Sequence, residues 1–152
     1  MTTELALLAS GCFWGVQQRF SQLPGVINTS VGYTGGHLDQ PNYASVCRGD
    51  SGHAEAILIT FDPQQINFER LLRFFFEQHD PTTLNRQGPD HGSQYRSAIF
   101  YYNDEQQQTA LQLIETLNLE GDYTAPIVTE VTAASAFFAA EDEHQDYWRK
   151  HR

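Results

Sequence analysis

The chain reads as an α+β domain, with helices packed on a mixed or antiparallel sheet. Two observations carry that reading. Apolar residues alternate or run together over short stretches and recur at helical spacing in others, and these patterns succeed each other as strand, helix, strand, strand, helix, strand, helix, strand, helix. The chain has 152 residues, 40% hydrophobic and 18% charged, enough for one domain with its own core, and it shows no internal repeat and no linker.

Each element follows from its residues. Residues 5–9 are a continuous apolar run stopped by Ser10-Gly11, which predicts a buried strand. Phe13, Val16, Phe20 and Leu23 then recur at helical spacing until Pro24-Gly25 ends the helix. Residues 26–33 predict a second strand, and 34–52 a long polar loop packed through Tyr43 and Val46. Residues 54–61 alternate, with Glu55, Ile57, Ile59 and Phe61 on one face, and Asp62-Pro63 closes that strand. Asn67 is placed to cap a helix whose stripe is Phe68, Leu71, Leu72 and Phe75. A second polar loop, 80–94, leads to a strand at 97–102. Asp104 is expected to cap the next helix with Gln107 as its capping-box partner, turning Ala110, Leu111, Ile114 and Leu117 inward. A short strand at 127–131 and an amphipathic helix at 139–150 complete the order.

The net charge of −10 disfavours nucleic acid and anionic membrane surfaces, both of which ask for Lys and Arg. No stretch reaches membrane-spanning length, and the N-terminal residues lack the basic region of a secretion signal, so a cytoplasmic home is expected. Cys12 and Cys47 do not make a disulfide framework. The six histidines show no metal-ligand spacing supported by cysteine or carboxylate, so no metal is expected.

Cys12 lies where a buried strand meets a helix, between Gly11 and Gly15. Unpaired amides at a helix start stabilise a thiolate, the nucleophilic form, although a free cysteine is as readily a small buried hydrophobe. Glu55 lies in line with Ile57 and Ile59. A carboxyl held against apolar neighbours stays protonated and can act as an acid, unless it reaches water past the sheet edge. Tyr33, Tyr43 and Tyr95 could bind a polar oxygen or simply pack. His79, Asp90 and His91 sit in the second polar loop, where such residues usually shape turns. A cysteine hydrolase pairing Cys12 with His79 or His91, a peroxidatic thiol protein, and a binding module presenting Trp14 and the tyrosines are competing readings.

Six blocks, in order, resemble the peptide methionine sulfoxide reductase A family. They are Gly11-Cys12-Phe13-Trp14-Gly15; Val31-Gly32-Tyr33-Thr34-Gly35-Gly36; Asn42 to Cys47 with Gly52-His53-Ala54-Glu55; Gln78-His79-Asp80-Pro81-Thr82; Asp90 to Ser97; and Ala140 to Tyr147. The resemblance implies a two-layer α/β sandwich with a ferredoxin-like plait core and a mostly antiparallel sheet, as a single domain over 1–152. It implies that Cys12 attacks the sulfoxide sulfur and becomes a sulfenic acid, and that Glu55 protonates the oxygen. It further implies that Tyr43 and Tyr95 bind that oxygen, that Asp90 orders the site, and that Phe13 and Trp14 hold the substrate methyl group. The implied substrates are the S epimer of methionine sulfoxide, free or in oxidised proteins. The implied setting is protein repair by a monomer with no bound cofactor.

Many members of that family carry further cysteines near the C-terminus that resolve the sulfenic acid; the sequence here closes on Tyr147-Trp148-Arg149-Lys150-His151-Arg152. Cys47 matches a position not usually assigned to recycling, and its neighbours Tyr43 and Val46 suggest a packed, poorly ionised thiol. The expectation is therefore an outside thiol reductant: thioredoxin, or glutathione with glutaredoxin.

Overall fold

The computed structural model describes residues 2–121 and 123–150. The apolar run at the start becomes β1 (Glu4–Ser10), and α1 (Phe13–Ser21) follows after a turn at Gly11. Then come β2 (Val26–Thr34), the short helix α2 (Tyr43–Cys47), β3 (Ala54–Phe61) and α3 (Phe68–Glu77). A two-residue hairpin, β4 (Arg86–Gln87) and β5 (Asp90–His91), precedes β6 (Ser97–Tyr101) and α4 (Asp104–Glu120). The chain continues through β7 (Glu130–Ala133), β8 (Phe138–Ala139) and a last helical turn, α5 (Tyr147–Lys150).

Six strands form one sheet in the order β7-β6-β1-β3-β2-β8. The β6–β7 pair is parallel and the other pairs are antiparallel. Its inner strands, β6-β1-β3-β2, together with α1 and α3, make the βαββαβ plait, so the expected fold class holds. The packing follows from period. Ala6 and Leu8 of β1, Val31 and Tyr33 of β2, Ile57, Ile59 and Phe61 of β3, and Ile99 of β6 share a core with Phe13, Val16 and Phe20 of α1 and Leu71, Leu72 and Phe75 of α3. Removing each phenylalanine from water contributes about 2 kcal/mol. The opposite sheet face buries a smaller cluster, Leu7, Ala9, Ala54, Ala56, Ala98 and Phe100, with Ala134 and Phe137 against it. β3 is therefore covered on both faces where Glu55 begins it.

Several local expectations fail. The loop at 34–52 contains α2, started by a capping box in which Asn42 Oδ1 accepts from the Ser45 amide and Ser45 Oγ accepts from the Asn42 amide. Asn103, not Asp104, caps α4, accepting from the Gln106 amide. Gln106, not Gln107, then turns inward, taking the Tyr102 N–H and donating to the Leu5 carbonyl. This register buries Ala110, Leu113 and Leu117 and leaves Leu111 half exposed. The strand expected at 127–131 starts at Glu130, because the Ile127 and Val128 amides bond to Asn118 and the Pro81 carbonyl. The helix expected at 139–150 is broken into β8, a 3-10 turn at Asp142–His144 and α5, with Asp146 at positive φ between the last two.

Candidate active site

Gly11 turns the chain at φ +102°, and Gln87 crowds the place where a side chain would stand. This turn puts Cys12 at the N-cap of α1. The helix's first amides are shared between two acidic groups. Phe13 N–H donates to Glu55 Oε1 at 3.2 Å, and the amides of Trp14 and Gly15 favour the Cys12 thiolate. Burial nonetheless outweighs the helix start. It pushes the Cys12 thiol up to about 11, and the carboxylates of Glu55 and Asp90 add to the rise. The lowered pKa expected from position alone is thus overturned: the amides do act, but desolvation is larger.

Glu55 is 1% exposed. Burial lifts its carboxyl from the ordinary 4.5 to about 7, against the pull of the Phe13 amide and with a push from Asp90. The strand alternation read in the sequence accounts for this, since Glu55 shares its face with Ile57 and Ile59 in the main core.

The three tyrosines separate. Tyr33 is fully buried and its hydroxyl donates to Glu141 Oε1 at 2.9 Å. Burial raises the Tyr43 phenol, with Cys47 adding to the rise, and burial likewise pushes the Cys47 thiol up against the pull of the Tyr43 hydroxyl. Tyr95 ends a 3-10 turn, and burial lifts its phenol to about 12, with Glu55, Cys47, Asp90 and Cys12 all contributing. Four acidic groups, Cys12, Glu55, Asp90 and Cys47, thus lie close enough to act on one phenol. Cys47 is exposed rather than packed, a correction to the expectation drawn from its neighbours, because α2 turns its C-terminal end outward.

An aromatic wall stands beside Cys12. Trp14 stacks on Tyr147, centroids 3.9 Å apart and planes within 10°. His144 stacks on Tyr43 at 4.4 Å, and Phe13 lies beneath Tyr33, Tyr43 and His144 with no exposed surface. The Trp14 indole N–H donates to His144 Nδ1 at 3.0 Å. Glu141, His144 and Tyr147 were not singled out from the sequence, although the closing block contains them. The sequence reads as an amphipathic helix there, whereas the segment is a strap laid along β2. The Gln145 side chain accepts from Val31 N–H and donates to Val31 C=O, replacing a missing strand partner. Gln17 ties α1 to the same strap by accepting from Asp146 N–H.

Glu141, Glu143 and His144 bring possible ligand atoms within 4.8 Å of one another. Because an indole can only donate, Nδ1 of His144 is an acceptor and its proton resides on Nε2, the nitrogen that faces Glu143. Glu141 is already bonded to Tyr33 and the Tyr43 amide. His79 is committed as well, to the Phe75 carbonyl and to Ser97 Oγ, which removes it as a base for Cys12. No helix among the described residues is long and apolar enough to cross a membrane.

Comparison with known proteins finds relatives in sequence and in fold. The family-wide sequence pattern described as peptide methionine sulfoxide reductase matches residues 4–152. A Methanosarcina acetivorans protein named peptide methionine sulfoxide reductase MsrA is 52% identical over 147 residues, spanning 97% of this chain and 78% of the relative. Mxr1 from Saccharomyces cerevisiae in reduced form superposes with a TM-score of 0.91 at 34% identity, over 97% of this chain and 85% of that one. Mxr1 in complex with Trx2 superposes with a TM-score of 0.66 at 25% identity, over 95% and 84%. With sequence and fold both matched over nearly its whole length, the chain belongs to the peptide methionine sulfoxide reductase A family.

Proposed function

We propose that the protein reduces the S epimer of methionine sulfoxide, free or protein-bound, to methionine, with Cys12 as nucleophile and Glu55 as acid. The observation that carries this is a half-buried thiol and a buried carboxyl that share the start of α1, Glu55 taking the Phe13 amide and Cys12 lying under the amides of Trp14 and Gly15. The Glu55 carboxylate is among the groups that raise the Cys12 thiol. Between about 7 and about 11 the pair holds one proton, and at rest that proton sits on Cys12.

A sulfoxide oxygen placed against Glu55 favours the protonated carboxyl. The proton moves from Cys12 to Glu55 and leaves a thiolate beside the sulfur. Cys12 Sγ attacks the sulfur while Glu55 protonates the oxygen. The hydroxyl then passes from that sulfur to Sγ, so that the S–O bond and the new S–S bond both break, Cys12 is left as a sulfenic acid carrying that proton, and methionine leaves. Cys12 is oxidised by two electrons and the sulfoxide is reduced by two. Tyr95 and Tyr43 donate to the developing charge on oxygen. Asp90 holds the Glu55 proton by repelling the carboxylate. Trp14 supplies apolar surface for the substrate methyl group, and Phe13 supports it from beneath.

An outside dithiol of thioredoxin type, or glutathione with glutaredoxin, completes the cycle. Its first thiol displaces water from the sulfenic acid, and its second releases Cys12 from the mixed disulfide. The Trx2 complex of a related chain supports the thioredoxin route. In this reading Cys47 is a bystander: Cys47→Ser recycles at the wild-type rate with small thiols, and its failure to do so would assign Cys47 as the resolving thiol. The activity itself is tested by incubating the protein with separated sulfoxide epimers of a blocked methionine and dithiothreitol. Methionine forms from the S epimer only; equal yields from both epimers, or none from S, reject the proposal.

A further inference from the structure

We propose that His144 is a positioning residue that fixes the indole of Trp14, and thereby the site for the substrate methyl group; this rests on the role given to Trp14 above. The imidazole is 6% exposed and lies within ring contact of Trp14, Tyr43 and Phe13, at 5.7, 4.4 and 5.7 Å. Only one of its contacts is directional: Nδ1 takes the Trp14 N–H at 3.0 Å. The indole also stacks on Tyr147 and, at 6.1 Å and 15°, on Tyr43, contacts that set its plane more than its rotation within that plane. The hydrogen bond removes that freedom.

The rest of the strap keeps the acceptor in place. His144 N–H donates to the Glu141 carbonyl at 2.9 Å. One residue on, Gln145 is bonded to Val31 and to the Ala140 carbonyl. Nε2 lies 3.7 Å from Glu143 Oε1, and a Glu141 carboxylate oxygen lies within 4.8 Å of the imidazole. The Nε2–H tautomer is the one that leaves Nδ1 free to accept the indole N–H. His144 touches no reacting atom. Its effect passes through Trp14, so it acts on how well the sulfoxide is held more than on how fast the bound sulfoxide reacts.

The test uses Asn as a conservative replacement, because its side-chain carbonyl can occupy the place of Nδ1. His144→Ala, His144→Asn and Trp14→Phe are compared with wild type for KM and for the single-turnover rate at saturating S sulfoxide. Emission of Trp14 is read in a Trp148→Phe background, which leaves one tryptophan. His144→Ala is expected to raise KM about tenfold, as loss of a buried hydrogen bond does, with the saturated rate changed less than about threefold. His144→Asn is expected to recover most of KM, and Trp14 emission shifts to the red in His144→Ala but not in His144→Asn.

Wild-type KM and emission in His144→Ala would overturn the proposal. So would a His144→Asn variant that melts like wild type yet is as impaired as His144→Ala, since ring volume and not the acceptor would then matter. An unchanged KM in Trp14→Phe would instead reject the methyl-binding role of Trp14, and the emission data would still decide whether His144 fixes the indole.

Discussion

Glu55→Gln separates the chemistry of the carboxyl from its place in the fold. The amide keeps an oxygen to accept the Phe13 N–H but has no proton to give. General acid help is worth about 10²–10⁴-fold, so the single-turnover rate at saturating substrate falls by that factor. The pH profile changes as well. In wild type the reactive pair carries one proton, so below about 7 a second proton must leave and the rate rises with pH to a plateau. In Glu55→Gln that limb is lost and the rate follows ionisation of Cys12 alone, at higher pH.

Stability moves in a direction fixed by linkage. A carboxyl raised from 4.5 to about 7 is better protonated in the folded state, so its stabilising contribution is complete below 4.5 and is lost as pH rises through 7. The loss is ~3 kcal/mol, so Glu55→Gln gains several degrees of Tm over wild type at pH 9 and little at pH 5. Stopped-flow quenching and thermal melts across pH measure the two effects. An unchanged rate with an unchanged limb would remove Glu55 from the mechanism, and equal Tm differences at pH 5 and 9 would show that its carboxyl is not held protonated by burial.

The remaining predictions follow from the same electrostatics. Asp90→Asn removes a negative charge that raises both Glu55 and Cys12, so the rising limb of the rate profile moves to lower pH; a limb that stays fixed would show that Asp90 does not act on the pair. Alkylation of resting Cys12 by iodoacetamide, followed by peptide mass mapping, is slow at neutral pH and quickens with pH up to about 11; fast modification at pH 7 would mean that the helix start outweighs burial. Burial lowers the His79 imidazole from 6.5 to about 4, so its stabilising contribution is present above 6.5 and is lost as pH falls through 4. His79→Gln should therefore lose less Tm than wild type between pH 7 and 4, and an equal loss in both would exclude His79 as a source of acid sensitivity.

What could be read from sequence divides along local and long-range lines. β3 was legible because its alternation and its Asp62-Pro63 stop are local, and Glu55 became conspicuous only against that alternation. The Asn67 cap of α3 is local too, with its side chain accepting from the Arg70 amide. The strap was not legible: what breaks the expected helix is the bond of Gln145 to Val31, across 114 residues. For the same reason nothing local singled out His144 and Glu141. Cys12 shows both sides. Its place at the head of α1 follows from Gly11 and the helical stripe, but the burial that governs its thiol comes from elements folded over it.

The central claim is that oxygen passes from the sulfoxide to Cys12. Reduced protein is mixed with one equivalent of the S sulfoxide of blocked methionine, without reductant and with dimedone present. Methionine is counted, and the oxidised sulfur is located by peptide mass mapping. One methionine per chain, with the dimedone adduct on Cys12 and no turnover of the R epimer, is the predicted result. Methionine formed with Cys12 unmodified, or formed equally by Cys12→Ser, would contradict the account.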